Sequence, residues 1–161
     1  IIEKIRKQIP DVVIRTSLIV GFPGETESDF KELLEFVKTT KFDRLGTFMY
    51  SKEEGTPAAR LPEQIHGNTK KARYNKIMKA QAEISLENLK NKIGKTYKVL
   101  VEDKSFDGKY FIGRTMQDVP EEDGLVYIEN DEKLNEKDIL DNFIECKIID
   151  VSNYDLIGIV N

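Results

Sequence analysis

The sequence predicts a two-part chain, α/β in its first half and all-β in its second. Three observations carry this. An apolar, β-branched run from Val12 to Val20 leads into a Pro-Gly turn and a capped helix, which together make one βα step. Five short β-rich stretches separated by turn residues follow Gly94. The charge also changes sign near that glycine. Residues 1–93 carry 17 Lys and Arg against 13 Asp and Glu, a net of +4, whereas residues 94–161 carry 8 against 16, a net of −8. The first half is read as the last βα units of a larger barrel or open sheet. The second is read as a small five-stranded antiparallel barrel of the oligonucleotide-binding type. The expected boundaries are a barrel end at 1–67, a connecting helix at 68–93 and a β-barrel domain at 94–161.

Each element has a local reason. Ile2, Ile5 and Ile9 share a helical face, and Pro10 stops that helix. The run Val12–Val20 has the composition of a strand buried on both faces. Pro23-Gly24 fits the central pair of a type II turn, whose second position needs positive φ. Thr26 with Asp29 is a capping-box pattern, and Phe30, Leu33, Leu34 and Val37 stripe the helix it starts. Arg44–Met49 reads as a second strand, ending in Tyr50-Ser51. Asn68 or Thr69 can cap a long helix running to about Ile93, with Met78, Ala82, Leu86, Leu89 and Ile93 as its packing stripe. Lys70, Lys71, Arg73, Lys76 and Lys79 give it a basic, solvated face. Gly94 fits the position that ends it.

The β stretches are Lys95–Glu102, Tyr110–Arg114, Leu125–Glu129, Phe143–Val151 and Leu156–Val160, with Asp107-Gly108 and Asp123-Gly124 at turns. Barrels of this type bind single-stranded nucleic acid through a basic groove with aromatic platforms. Here the Tyr and Phe residues are not interleaved with Lys or Arg. An acidic surface repels phosphate and attracts basic proteins. The runs Asp118-Val-Pro-Glu-Glu-Asp123 and Asn130-Asp-Glu132 concentrate the negative charge, either as a docking surface or as solubilising loops.

Alternation along the first strand places Arg15, Ser17 and Ile19 on one side and Ile14, Thr16, Leu18 and Val20 on the other. The apolar set suits a helix-covered face. Arg15 and Ser17 then point inward, toward a polar ligand or toward an internal ion pair. Two parallel strands with their helices do not close a sheet buried on both faces, so the earlier strands are expected in a longer protein. A start inside a helical pattern, without Met, fits that expectation. No apolar run reaches membrane-spanning length, and no signal-peptide pattern opens the chain. One cysteine, Cys146, excludes an internal disulfide and a cysteine metal cluster within this sequence. A cytoplasmic location is expected.

The ordered motifs Arg15-Thr-Ser-Leu-Ile-Val-Gly-Phe-Pro-Gly-Glu-Thr26, Phe48-Met-Tyr-Ser51 and Glu54-Gly-Thr-Pro-Ala58 resemble the end of the radical S-adenosylmethionine barrel, of partial TIM type, in the methylthiotransferases. The acidic β domain resembles the family's C-terminal TRAM domain. Phe42-Asp-Arg-Leu-Gly-Thr-Phe48 resembles the branch that modifies a ribosomal protein. So does Gly113-Arg114 followed by Asp118-Val-Pro-Glu-Glu-Asp-Gly-Leu-Val-Tyr-Ile128.

That resemblance implies a full-length enzyme that adds a methylthio group to the β-carbon of an aspartate in small-subunit ribosomal protein S-twelve. It implies S-adenosylmethionine and two 4Fe-4S clusters as cofactors, and the enzyme's N-terminal domains as partners. Ile19 and Gly21 would lie near the adenosyl group, Tyr50 or Ser51 near the adenine, and Arg15 and Ser17 toward the reaction chamber. Asp118, Glu121, Glu122 and Asp123 would dock the basic protein or the small ribosomal subunit, and no membrane is implied. The family's cluster needs three cysteines spaced Cys-x-x-x-Cys-x-x-Cys, and this sequence has none of them. The chain alone is therefore expected to bind no cluster or cofactor and to be inactive. Two alternatives stay open. One is the tRNA-modifying branch, with a TRAM domain that binds RNA; the acidic domain disfavours nucleic acid. The other is a non-catalytic substrate-docking module.

Overall fold

Parallel pairing of two strands organises the first half. In the computed structural model, which describes residues 1–131 and 135–160, strand β1 is Arg15–Val20 and strand β2 is Arg44–Met49. Arg15 lies opposite Arg44 and Val20 opposite Met49. The chain divides into two units, Ile1–Ser85 and Leu86–Asn161.

In the first unit, helix α1 is Ile2–Gln8 and helix α2 is Glu27–Thr40. The α2 start is the expected capping box. The Thr26 hydroxyl accepts from the Asp29 N–H, and the Asp29 carboxylate accepts from the Thr26 N–H. At the other end, Arg6 donates to the Thr40 and Lys41 carbonyls, which the helix itself leaves unpaired. Val20, Phe30, Val37, Phe42, Leu45, Ile77 and Ile84 make the core. The helix-side residues of β1 and β2 therefore face apolar cover. The expectation of a strand buried on both faces is corrected here. Arg15, Ser17 and Ile19 are exposed, because two strands offer no further layer to cover that side.

The capping box gives a pH-dependent prediction. Hydrogen bonds from the Thr26 backbone N–H, and then from its hydroxyl, lower the Asp29 pKa below 3.8. The charged form is thus favoured in the folded chain. Its contribution is present above pH 3.8 and is lost as the pH falls through the lowered value. Thr26→Ala removes the hydroxyl half of the box and keeps the backbone N–H bond to Asp29, and it is expected to cost about 1 kcal/mol in urea unfolding at neutral pH. The difference from wild type should shrink as the pH falls through that range.

Helix α3 runs Gly67–Lys90, and it corrects two expectations. Its start is capped by His66, whose Nδ1 accepts from the Asn68 N–H, rather than by Asn68 or Thr69. Its buried positions include Ile77, Gln81 and Ser85, each one position before a predicted stripe residue, together with Ala80 and Ile84. Of the predicted stripe, Leu89 is buried as expected, Leu86 is substantially exposed, and Ile93, also exposed, lies beyond the end of the helix. The reason is polar burial. Gln81 Nε2 donates to the Phe42 carbonyl and to Ser85 Oγ, so two polar residues belong to the packed face.

The second unit is a closed barrel of β3 (Thr96–Lys104), β4 (Tyr110–Thr115), β5 (Val126–Glu129), β6 (Phe143–Ser152) and β7 (Asp155–Val160). Around the ring the order is β3-β4-β5-β7-β6. The ring is mixed rather than wholly antiparallel, because β5 and β7 pair in parallel. Parity explains the correction. Five strands in a closed ring cannot alternate direction throughout, so one neighbouring pair must run the same way. A short helix, α4 (Glu136–Ile139), was not anticipated; its Ile139 joins the barrel core. Leu89, Val99, Val101, Phe111, Val126, Ile128, Cys146, Ile148 and Leu156 complete that core. The architecture is consistent with an oligonucleotide-binding type of barrel. Among the described residues, no helix is long and apolar enough to cross a membrane.

Candidate functional site

The carboxyl ends of β1 and β2 are the natural place for a site, since ligands of α/β folds bind beyond the ends of parallel strands. The structure brings the two following loops together there. The Tyr50 N–H donates to the Val20 carbonyl, which puts Tyr50 beside Gly21. The expected type II turn is present. The Glu25 N–H donates to the Phe22 carbonyl, and Gly24 has φ +84°. Phe22 then meets the Tyr50 ring edge-on at 5.3 Å between centroids.

Of the predicted residues, Arg15, Ser17 and Ile19 line the uncovered side of β1, and Ile19 is 58 % exposed. Phe48 and Met49 on β2 are exposed as well. Gly21 is buried at the loop start with φ +75°. Tyr50 is half-buried, and its hydroxyl is enclosed without a hydrogen-bond partner among the described residues. Ser51 is exposed. A buried hydroxyl with no partner carries an unmet desolvation cost, which a polar ligand could meet. Open apolar surface beside an enclosed hydroxyl that has no partner among the described residues fits a ligand that is part polar and part apolar.

Sequence reading missed how the loops are held. Arg73 of α3 is buried, not solvated, and pairs with Glu25 at 2.5 Å. The other Glu25 oxygen accepts from the Gly21 N–H at 2.8 Å. Lys70 Nζ donates to the Tyr50 carbonyl at 2.8 Å and lies 4.8 Å from the Tyr50 ring centre. A usable signal existed. Arg73 precedes Ile77 by four positions, so it continues the helix face that Ile77 buries.

The acidic residues do not form one surface. Asp118 is buried, and its carboxylate accepts from the Thr115 N–H and hydroxyl at 3.0 and 2.6 Å. The Asp123 carboxylate accepts from the Val119 N–H. Both therefore build the loop. Glu121 and Glu122 remain exposed. Glu132, in the second acidic run, lies outside the described residues.

Cys146 sits in the barrel core. Burial pushes its thiol up to about 11 from 9.0, because the thiolate would lose its hydration. Below pH 9 the folded and unfolded chains hold this proton alike. Between pH 9 and about 11 only the unfolded chain ionises, so this group lowers stability across that window. Native chain at pH 8 is expected to resist iodoacetamide, while urea-unfolded chain reacts with one equivalent. Equal rates in the two states would contradict this placement. A single buried thiol does not fit an iron–sulfur cluster, which three thiolates must hold. No step through a cluster is assigned to these residues.

Comparison with known proteins adds two findings. Residues 93–160 match the TRAM domain family. The chain is 60 % identical, over 98 % of its length, to the ribosomal protein uS12 methylthiotransferase RimO of Alkaliphilus oremlandii. It is 48 % identical over 98 % of its length to the protein of that name from Desulforamulus reducens, and 47 % over 99 % to the one from Clostridium perfringens. It spans 35, 35 and 34 % of those three relatives respectively. The chain therefore carries a TRAM domain at residues 93–160 and, along nearly all of its length, resembles the C-terminal part of the RimO methylthiotransferases.

Proposed function

We propose that this chain serves a methylthiotransferase acting on ribosomal protein uS12, with an aspartate β-carbon as the site of modification. The observation that carries the proposal is the identity to uS12 methylthiotransferases, which runs through both the β1–β2 loops and the barrel. S-adenosylmethionine is the proposed ligand of the strand-end loops. When bound in a radical enzyme, it supplies the radical that removes a substrate hydrogen. Gly21, whose Cβ space the Lys70 stem fills, would shape the loop beside the ligand. The Tyr50 hydroxyl and Ser51 would meet its polar edge, and Ile19 its apolar surface. Arg15 and Ser17 would face the substrate side. The two 4Fe-4S clusters are assigned to the rest of the enzyme, and the chain taken alone is proposed to be inactive.

The proposed domains are a barrel end at 1–67, a connecting helix at 68–93 and the TRAM barrel at 94–161. Glu121 and Glu122, within a domain of net charge −8, are proposed to favour the basic protein over tRNA. The test is deletion of the encoding gene, followed by intact-mass analysis of uS12 and nucleoside analysis of tRNA. The proposal expects uS12 to lose the mass of a methylthio group that replaces hydrogen, with tRNA unchanged. Loss of a tRNA methylthio nucleoside with uS12 unchanged would assign the chain to the tRNA branch.

A further inference from the structure

Lys70 and Arg73 stand one turn apart on α3, and each grips a different strand-end loop. Arg73 holds the β1 loop. Its guanidinium donates to a Glu25 carboxylate oxygen and, at 3.1 Å, to the Glu25 carbonyl. Through its second carboxylate oxygen, Glu25 fixes the Gly21 N–H. Lys70 holds the β2 loop through the Tyr50 carbonyl, and its stem fills the space beside Gly21. A Cβ at Gly21 would come within 2.4 Å of Lys70 Cγ. The ion pair is almost dry, with the Arg73 and Glu25 side chains 7 % and 12 % exposed.

A buried ion pair is a weak source of net stability, since apolar residues of similar volume often do as well. What this pair supplies that apolar residues would not is direction. Glu25 spends one oxygen on the helix and the other on the loop amide. We propose that Lys70, Arg73 and Glu25 are positioning residues, which hold the Gly21 and Tyr50 loops at a fixed spacing for S-adenosylmethionine without touching it. This rests on the ligand assignment above.

The experiment uses the full-length protein that contains this segment. Peptide hydrogen exchange over residues 21–25 and 50–53 reads loop order, and equilibrium dialysis with S-adenosylmethionine reads affinity. Arg73→Gln is expected to speed exchange at 21–25 and to raise Kd about tenfold, the scale of a lost charge-assisted hydrogen bond. Lys70→Met should speed exchange at 50–53 with a similar rise. Arg73→Lys should recover most of the Arg73→Gln loss.

Val37→Ala serves as the stability control. It should lower the melting point without changing Kd. If Arg73→Gln does not fold, Glu25→Gln and Lys70→Met carry the test. Unchanged exchange in the variants would overturn the proposal. So would faster exchange with unchanged Kd, or a Kd that rises equally in Val37→Ala. Wild-type protein that fails to bind S-adenosylmethionine would instead overturn the ligand assignment, while the exchange data would still judge the clamp.

Discussion

Gly113→Val should leave the β unit largely unfolded at 25 °C. Gly113 lies mid-strand in β4, opposite Val101 on one side and Val126 on the other. A Cβ there would stand 2.3 Å from the Leu100 carbonyl oxygen and 2.8 Å from Val99 Cγ1. The first is backbone in a paired strand and has little freedom to yield, so the two strands must part. Overpacking a core costs about 1–3 kcal/mol and more where backbone must shift. A domain of this size has on the order of 4–11 kcal/mol in all. Gly113→Ala is expected to lose ~3 kcal/mol, and valine more. Loss of amide dispersion across residues 96–160 would show it; a wild-type spectrum for Gly113→Val would contradict the close approach.

Gly21→Ala is expected to lower the stability of the first unit by about 3 kcal/mol, against about 1 kcal/mol for Gly55→Ala. Both glycines have positive φ, at +75° and +82°, so both substitutions strain the backbone. Only Gly21 has a neighbour in the way. Among the described residues nothing lies within 4 Å of a Cβ built at Gly55, whereas at Gly21 the Lys70 stem must move. Moving it pulls Nζ from the Tyr50 carbonyl. Urea midpoints for the two variants separate the strain that they share from the clash that they do not. Equal losses would mean that the Lys70 contact carries no weight.

What the sequence made legible was local. The Thr26–Asp29 box could be read because its partners are three residues apart. The β1 alternation could be read because strand side chains have period 2. The barrel strands begin and end within two residues of their expected limits for the same reason. The rest depended on distant partners. Arg73 reads as solvated until Glu25, 48 residues away, is placed against it. Lys70 has its partner 20 residues back. Gln81 and Ser85 hid the packed face of α3, since a hydropathy pattern has no way to count a polar side chain as core. Asp118 reads as acidic surface, but folding turns its carboxylate onto Thr115. A parallel pair somewhere in the ring was available from parity alone once a closed ring of five strands was expected, but its place at β5–β7 was not.

The most direct test of the account is a turnover assay with the full-length protein that contains this segment, reconstituted with iron and sulfide. Purified uS12 and bulk tRNA are offered together with S-adenosylmethionine, a sulfur source and a reductant. The account predicts that a single uS12 aspartate gains the mass of a methylthio group and that the tRNA nucleosides stay unchanged. A methylthio adenosine in the tRNA digest, with uS12 at its starting mass, would contradict it.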